Sequence, residues 1–274
     1  MAVAKVGDIN IYYEIHGKGE PLVLIMGITF HSGLWFRTIP AFSSSYQVIT
    51  FDNRGCGRSD KPNPPYTMEM MSGDIAGLLN TIGIESAHVF GISMGGGIAQ
   101  YLALNYPQKI KSLILGGTSC GGSHSILPNP EAMAWLFDME LRQKQTPEER
   151  AKEMLPFMYS VEFIKNNLGL LQQMGAISMQ YAAPIQGVMG QAAALKNVNT
   201  YERLPEVKAP TLVLAGNADR LCPVENSRIL ASRIPNCELV ILKNAGHGFN
   251  IEAEEETNRI ILDFLRRHGD NHQV

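Results

Sequence analysis

Residues 88–97 read HVFGISMGGG and contain the motif G-x-S-x-G with Ser93 at its centre. A short apolar stretch precedes the serine, and a stretch of small residues compatible with a helix follows it. This order is typical of a sharp strand-to-helix turn that holds a serine in a strained conformation with its hydroxyl exposed. The motif and its context predict that Ser93 is a nucleophile. The alternative is a serine that only caps a glycine-rich helix.

Strand-like and helix-like segments alternate on both sides of this motif. Short apolar segments predict buried strands, and periodic apolar positions predict helices over residues 68–82 and 253–267. The strand-like segments are residues 10–15, 22–26, 47–51, 87–90, 110–115, 211–215 and 238–242. The alternation predicts an α/β fold: a mostly parallel, eight-stranded sheet with helices on both faces.

Residues 123–200 interrupt the alternation because they carry no strand signal. They are expected to form several helices, broken near Pro147, Pro156 and Pro184. We therefore predict a core made of residues 1–122 and 201–274. The helical cap or lid, residues 123–200, is inserted before the strand at residues 211–215.

A serine hydroxyl is a weak nucleophile, so Ser93 needs a base and a group that orients the base. His247 lies in a glycine-flanked loop after the last predicted strand, and Asp219 follows the strand at residues 211–215. Both positions fall at the carboxyl edge of a parallel sheet, where such sheets build their sites. The order serine, acid, histidine agrees with a triad. The alternatives are a surface-loop histidine and a turn aspartate.

Acyl transfer places negative charge on a carbonyl oxygen, and backbone N–H groups can stabilise it. One donor is expected from Met94, the residue after the nucleophile. The second is expected from the loop after the strand at residues 22–26, where we nominate the N–H of Ile28.

Five segments in this order resemble the α/β-hydrolase fold superfamily over nearly the whole chain: residues 26–27, 52–59, 91–96, 216–219 and 246–247. Among its members, the chain looks most like small lidded carboxylesterases and 3-oxoadipate enol-lactonase-like hydrolases. The resemblance implies catalysis through an acyl-enzyme, with no cofactor and no metal. Many members have His-Gly where this chain has Met26-Gly27. The substitution removes a side chain that supports the oxyanion loop in those members, but the backbone donors need not be lost.

The substrate implied is a carboxylic ester or lactone of small to medium size and hydrophobic character. His31, Trp35, His124 and Trp135 are expected to line its pocket. Seven of the thirteen methionines fall within residues 123–200, and they are expected mainly to pack the cap onto the core. Three alternatives use the same fold: a carbon–carbon bond hydrolase, a cofactor-free haloperoxidase or perhydrolase, and a ligand receptor without catalytic activity.

The composition limits the partners of the chain. A net charge of -3 with 18% charged residues offers no basic surface for nucleic acid. No apolar run predicts a membrane span or a secretory signal, so a cytoplasmic location is expected. The four cysteines show neither metal-ligand spacing nor a short disulfide framework. The sequence leaves a monomer and a homodimer equally open.

Overall fold

The computed structural model describes residues 2–138, 140 and 144–269, and a single sheet is its frame. The strands are β1 (Ala2–Val6), β2 (Ile9–His16), β3 (Glu20–Ile25), β4 (Tyr46–Phe51), β5 (Ala87–Ile92), β6 (Ile110–Gly116), β7 (Thr211–Gly216) and β8 (Cys237–Leu242). They pair in the order β1-β2-β4-β3-β5-β6-β7-β8. The pairs β1–β2 and β2–β4 are antiparallel, and the other five pairs are parallel. The predicted eight-stranded, mostly parallel sheet is confirmed.

The helices lie between these strands and after them. They are α1 (Thr38–Ser43), α2 (Met68–Thr81), α3 (Met94–Asn105), α4 (Pro130–Phe137), α5 (Pro147–Met158), α6 (Val161–Asn166), α7 (Leu168–Gln180), α8 (Ile185–Lys196), α9 (Val224–Arg233), α10 (Phe249–Glu252) and α11 (Glu254–Arg267). Within the described part of the chain, none of them combines the length and the apolar character that a membrane span requires.

Strand β3 shows why the sheet is covered on both faces. Its side chains alternate between two hydrophobic cores, since successive residues of a strand point to opposite faces. Leu22 and Leu24 pack into one core, with Phe42 of α1 and Phe264 of α11. Val23 and Ile25 pack into the other core, whose helical cover comes from α2, α3 and α9. A strand that is buried on both faces reads as a continuous apolar run, as residues 22–25 do.

The segment between β6 and β7 contains α4 to α8. The chain enters and leaves this segment side by side, because Gly121 and Asn199 form an isolated antiparallel bridge. Pro147 is the first residue of α5, and Pro184 precedes α8. The break expected near Pro156 falls just after it: this proline lies in the last turn of α5, which ends at Met158. A proline in that last turn removes only one N–H donor from the helix.

The turn after β4 is fixed by a buried ion pair. Nε and Nη2 of Arg54 each donate to one carboxylate oxygen of Asp74 on α2, at 2.6 Å. Both side chains are buried, and burial is the main cause that raises the pKa of Asp74. Two parallel charge-assisted bonds give this pair a defined geometry, so they hold the turn after β4 against α2.

We predict that Arg54→Met lowers the free energy of unfolding by about 3–5 kcal/mol, because it leaves a buried carboxylate without its partner. The measurement is urea denaturation at neutral pH. The matched control is Arg259→Met, since Arg259 is two-thirds exposed and lies 3.8 Å from Asp263; its loss should stay below about 1 kcal/mol. A loss in Arg54→Met no larger than in this control would contradict the role of the buried pair.

Candidate active site

Ser93 occupies the turn between β5 and α3. Its φ is 56° and its ψ is -123°, a backbone conformation that is rare outside glycine. The Ser93 N–H donates to the carbonyl oxygen of Gly116 at 2.8 Å, and the Ser93 carbonyl accepts from the N–H of Gly96 at 2.9 Å. These bonds tie the turn to β6 and to the first turn of α3. The strained conformation is therefore held from both sides.

The glycines of the motif are required by the close approach of neighbouring backbone. A Cβ atom on Gly91 would lie 2.2 Å from the carbonyl oxygen of Gly95. A Cβ atom on Gly95 would lie 2.2 Å from the carbonyl oxygen of Ile25, at the end of β3. Neither carbonyl can move without disturbing the sheet or the helix. The spacing of the motif thus follows from how tightly α3 starts against β3 and β5.

His247 and Asp219 form a direct pair at the carboxyl edge of the sheet. His247 follows β8 and Asp219 follows β7, and the distance between His247 Nδ1 and Asp219 Oδ2 is 2.7 Å. The other carboxylate oxygen, Asp219 Oδ1, accepts from the N–H groups of Leu221 at 2.8 Å and Cys222 at 2.7 Å. An ionised carboxylate only accepts hydrogen bonds, so Nδ1 is the protonated nitrogen of His247. This tautomer leaves Nε2 available to take a proton.

The loop after β3 passes beside the serine. A Cβ atom on Gly27 would lie 3.3 Å from Ser93 Cβ and 3.7 Å from Ser93 Oγ. Ile28 and Met94, the two residues nominated as backbone donors, are buried. Asn53 Nδ2 donates to the carbonyl oxygen of Met26 at 3.1 Å, which fixes the start of this loop. The backbone is therefore anchored immediately before Ile28, where the sequence places Met-Gly.

Ser93 and His247 both line a cavity of about 870 Å³ between the sheet edge and helices α4, α5, α7 and α8. This volume is within the range of sites that enclose a small organic ligand. Its wall is largely apolar, and residues 123–200 contribute much of it. The contributing side chains include Leu136, Met154, Leu155, Met158, Leu168, Leu171, Met174, Met179, Val188, Leu195 and Val198. Four of the methionines in this segment thus line the cavity, whereas the sequence led us to expect that they mainly pack the cap onto the core.

Of the four side chains expected to line the pocket, the structure places Trp135 on the cavity wall. The expectation is wrong for the other three, which do not line the cavity. Trp35 is fully buried in the core beneath the sheet, 5.5 Å from Phe90 between ring centroids. His31 is also buried; its Nδ1 accepts from the Gly33 N–H, and its Nε2 lies 2.8 Å from the Ile177 carbonyl oxygen. His124 is exposed and stacks on Tyr201 at 3.7 Å, away from the cavity.

Cys222 also lines the cavity, next to the acid of the pair. Burial, followed by the charge of Asp219, raises the pKa of its thiol well above the ordinary value. A thiol is nucleophilic as the thiolate, so Cys222 stays in its unreactive protonated form at neutral pH. Cys222 is therefore a weaker candidate nucleophile than Ser93.

We predict that Gly95→Ala destabilises the protein by at least about 2 kcal/mol, because its methyl group has no space against the backbone of β3. Thermal unfolding and urea denaturation measure the effect. Gly97→Ala is the matched control in the same helix, since its Cβ would meet only side-chain atoms at 3.5 Å or more. Equal stability of Gly95→Ala and Gly97→Ala would refute the steric explanation of the motif.

Comparisons with known proteins agree with this architecture. The family model described as alpha/beta hydrolase fold matches residues 20–254. RutD of Azorhizobium caulinodans, whose name describes a carbamate hydrolase, is 30% identical over 96% of this chain and 98% of the RutD chain. The poly(3-hydroxyalkanoate) depolymerase of Ectopseudomonas oleovorans is 32% identical over 90% of this chain and 84% of its own. The solved structure of the enol-lactonase from Burkholderia xenovorans LB400 superimposes with a TM-score of 0.85 at 25% identity, covering 97% of this chain and 100% of the lactonase. The chain therefore belongs to the α/β-hydrolase fold family and is a hydrolase.

Proposed function

We propose that this protein is a serine hydrolase that cleaves uncharged, hydrophobic carboxylic esters or lactones through an acyl-enzyme. The observation that carries the proposal is the convergence of three features. Ser93 lies on a strained turn, His247 is hydrogen-bonded to Asp219, and the serine and histidine share one apolar cavity. Together these features provide a nucleophile, its base and a place for the substrate.

In the proposed reaction, His247 Nε2 accepts the Ser93 hydroxyl proton while Ser93 Oγ attacks the carbonyl carbon of the ester. The N–H groups of Ile28 and Met94 stabilise the resulting oxyanion. Collapse of this intermediate breaks the bond to the alkoxy oxygen, which leaves as the alcohol with the proton from His247. A water molecule then repeats the attack on the acyl-enzyme, and the carboxylic acid is released.

Asp219 supports the base by fixing its tautomer and by stabilising the imidazolium that forms. Its two N–H donors, from Leu221 and Cys222, keep the carboxylate oriented toward Nδ1. Because His247 is only 4% exposed, its orientation depends on this pairing rather than on solvent. The hydrogen bond to Asp219 thus leaves His247 with one basic nitrogen, Nε2, on the side of the ring away from Asp219.

The cavity wall supports the substrate class. Among the described residues that line it, Lys152 is the one Lys or Arg side chain, and no Asp or Glu takes part. Lys152 itself is exposed. A substrate with several carboxylates would therefore lack buried counter-charges, whereas an alkyl chain finds apolar contacts along much of the wall. The names of two similar proteins, a polyester depolymerase and an enol-lactonase, describe cleavage of the same kind of acyl–oxygen bond.

Residues 123–200 serve, in this proposal, as the cap that selects the substrate. Helices α4, α5 and α7 contribute Leu136, Leu155 and Leu171 to the cavity wall, whereas the triad comes entirely from the loops of the sheet. Chemistry and substrate selection then reside in different parts of the chain. Changes in the side chains of α4, α5 and α7 would alter which acyl group fits while leaving the reaction itself in place.

We predict that a fluorophosphonate probe labels the wild-type protein at Ser93 and that Ser93→Ala abolishes the labelling. His247→Gln should lower turnover of a p-nitrophenyl ester at least about a thousandfold, because the serine loses its base. Mass spectrometry locates the label, and absorbance measures turnover. The control is His124→Gln, which should keep wild-type turnover because His124 stacks on Tyr201 outside the cavity. Labelling that survives Ser93→Ala would refute the assignment.

We also predict that kcat/KM for p-nitrophenyl esters rises from acetate to at least hexanoate. Each methylene buried in the cavity contributes about 0.8 kcal/mol, or roughly a fourfold gain. A p-nitrophenyl carbamate, a vinylogous 1,5-diketone, and acetate with peroxide and halide test the carbamate, carbon–carbon bond and perhydrolase alternatives. Faster turnover of any of these, or a maximum at acetate, would contradict the proposed substrate class. Negligible turnover of every substrate, the p-nitrophenyl esters included, would contradict the proposed ester or lactone cleavage.

A further inference from the structure

Gln191, on helix α8, joins the cap to two loops of the sheet. Its side chain is fully buried. Its Oε1 accepts from the backbone N–H of Thr29 at 2.7 Å, and its Nε2 donates to the backbone carbonyl oxygen of Arg54 at 2.8 Å. One amide side chain therefore connects the loop after β3 with the turn after β4.

The bond to Thr29 falls at a strained point of the oxyanion loop. Thr29 has a φ of 66°, a conformation that β-branched residues rarely adopt. Its N–H belongs to the peptide that directly follows Ile28, whose own N–H is the proposed oxyanion donor. On the other side of Ile28, Asn53 holds the Met26 carbonyl oxygen. Ile28 thus lies between two backbone groups that side chains hold in place.

The other end of the Gln191 bridge is equally well fixed. The Arg54 carbonyl belongs to the turn that the buried pair with Asp74 holds against α2. Helix α8 packs directly on this turn, because a Cβ atom on Gly187 would lie 1.9 Å from the carbonyl oxygen of Gly55. With no gap between helix and turn, the position of Gln191 is set by the core.

We propose that Gln191 is a positioning residue, which holds the oxyanion loop so that the Ile28 N–H points at the reacting carbonyl oxygen. The inference rests on the proposed function and extends it. Helix α8 then helps to position the catalytic groups, although this helix lies in the segment assigned to the cap. Without the Gln191 acceptor, nothing that the structure describes replaces the bond to the Thr29 N–H, and the strained loop can relax away from the substrate.

The test is Gln191→Met, which preserves the length of the side chain but removes both hydrogen bonds. We expect kcat for the best p-nitrophenyl ester to fall at least about tenfold, approaching the roughly 10²–10³-fold that loss of an oxyanion donor costs. KM should change less than about twofold, because the cavity wall is unchanged. Rates are expressed per active site, counted by complete fluorophosphonate labelling, so that partial misfolding does not enter the comparison.

Two inhibitors separate positioning from a general structural role. An alkylboronic acid adds to Ser93 and places an oxygen in the oxyanion hole, so its affinity should fall by the same factor as kcat/KM. An alkyl ether of the same length occupies only the cavity, so its affinity should stay within about twofold of wild type. Equal losses for both inhibitors would show a collapsed site and would overturn the proposal.

Further variants keep the test decisive. Gln191→Glu retains an acceptor for Thr29, so it should retain more turnover than Gln191→Met. Gln191→Asn is too short to span both loops; if Gln191→Met does not fold, Gln191→Asn is judged by the same criteria. Gln186→Met is the matched control, since Gln186 is exposed on the same helix. If Gln191→Met, or Gln191→Asn in its place, turns over the ester as fast as the wild-type protein, this inference alone is overturned. If the wild-type protein itself shows neither labelling nor turnover, the proposed function is refuted.

Discussion

The close approach of three backbone segments around Ser93 constrains the rest of the structure. Strand β5 must end, and helix α3 must begin, within one residue held at a positive φ. The start of α3 must also meet the end of β3, where Gly95 leaves no room for a side chain against Ile25. Because β3 and β5 are neighbours in the sheet, the same contact places the loop after β3 beside the serine. The strained turn at Ser93 and the position of the loop after β3 are therefore consequences of one packing arrangement.

The remaining parts of the candidate site follow from parallel strand order. Strands β6, β7 and β8 run in the same direction as β5, so the loops after β7 and β8 emerge at the edge that carries Ser93. Asp219 and His247 belong to those two loops and meet at 2.7 Å. The two residues are 28 positions apart in the sequence. Parallel pairing of β7 with β8 brings them together, because each residue follows its strand at the same end.

This dependence explains why the sequence predicts the fold and selects residues that the structure brings to one sheet edge, yet fails for most of the pocket. Elements, sheet edge and loop order follow from local patterns: an apolar run, a glycine-flanked serine, a polar loop after a strand. The pocket wall depends on how helices α4 to α8 pack over that edge, which no local pattern encodes. Trp35 is an example. An aromatic residue near the site suits the cavity and the core equally well in the sequence, and only its packing beside Phe90 places it in the core. Gln191 could not be found for the same reason: its partners lie 162 and 137 residues away.

The cap segment therefore has two physically different halves. Helix α8 is seated against the turn after β4 without space for a side chain at Gly187, and its buried Gln191 is hydrogen-bonded to the core at both ends of the amide. Helices α4, α5 and α7 contribute much of the apolar cavity wall, including flexible side chains such as Met154 and Met174, and such contacts are non-directional. Directional bonds require a fixed partner geometry, whereas apolar contacts tolerate repacking. In the proposed reaction, substitutions in α4, α5 and α7 can therefore change which acyl group fits, whereas α8 must keep its position for the loop after β3 to keep its shape.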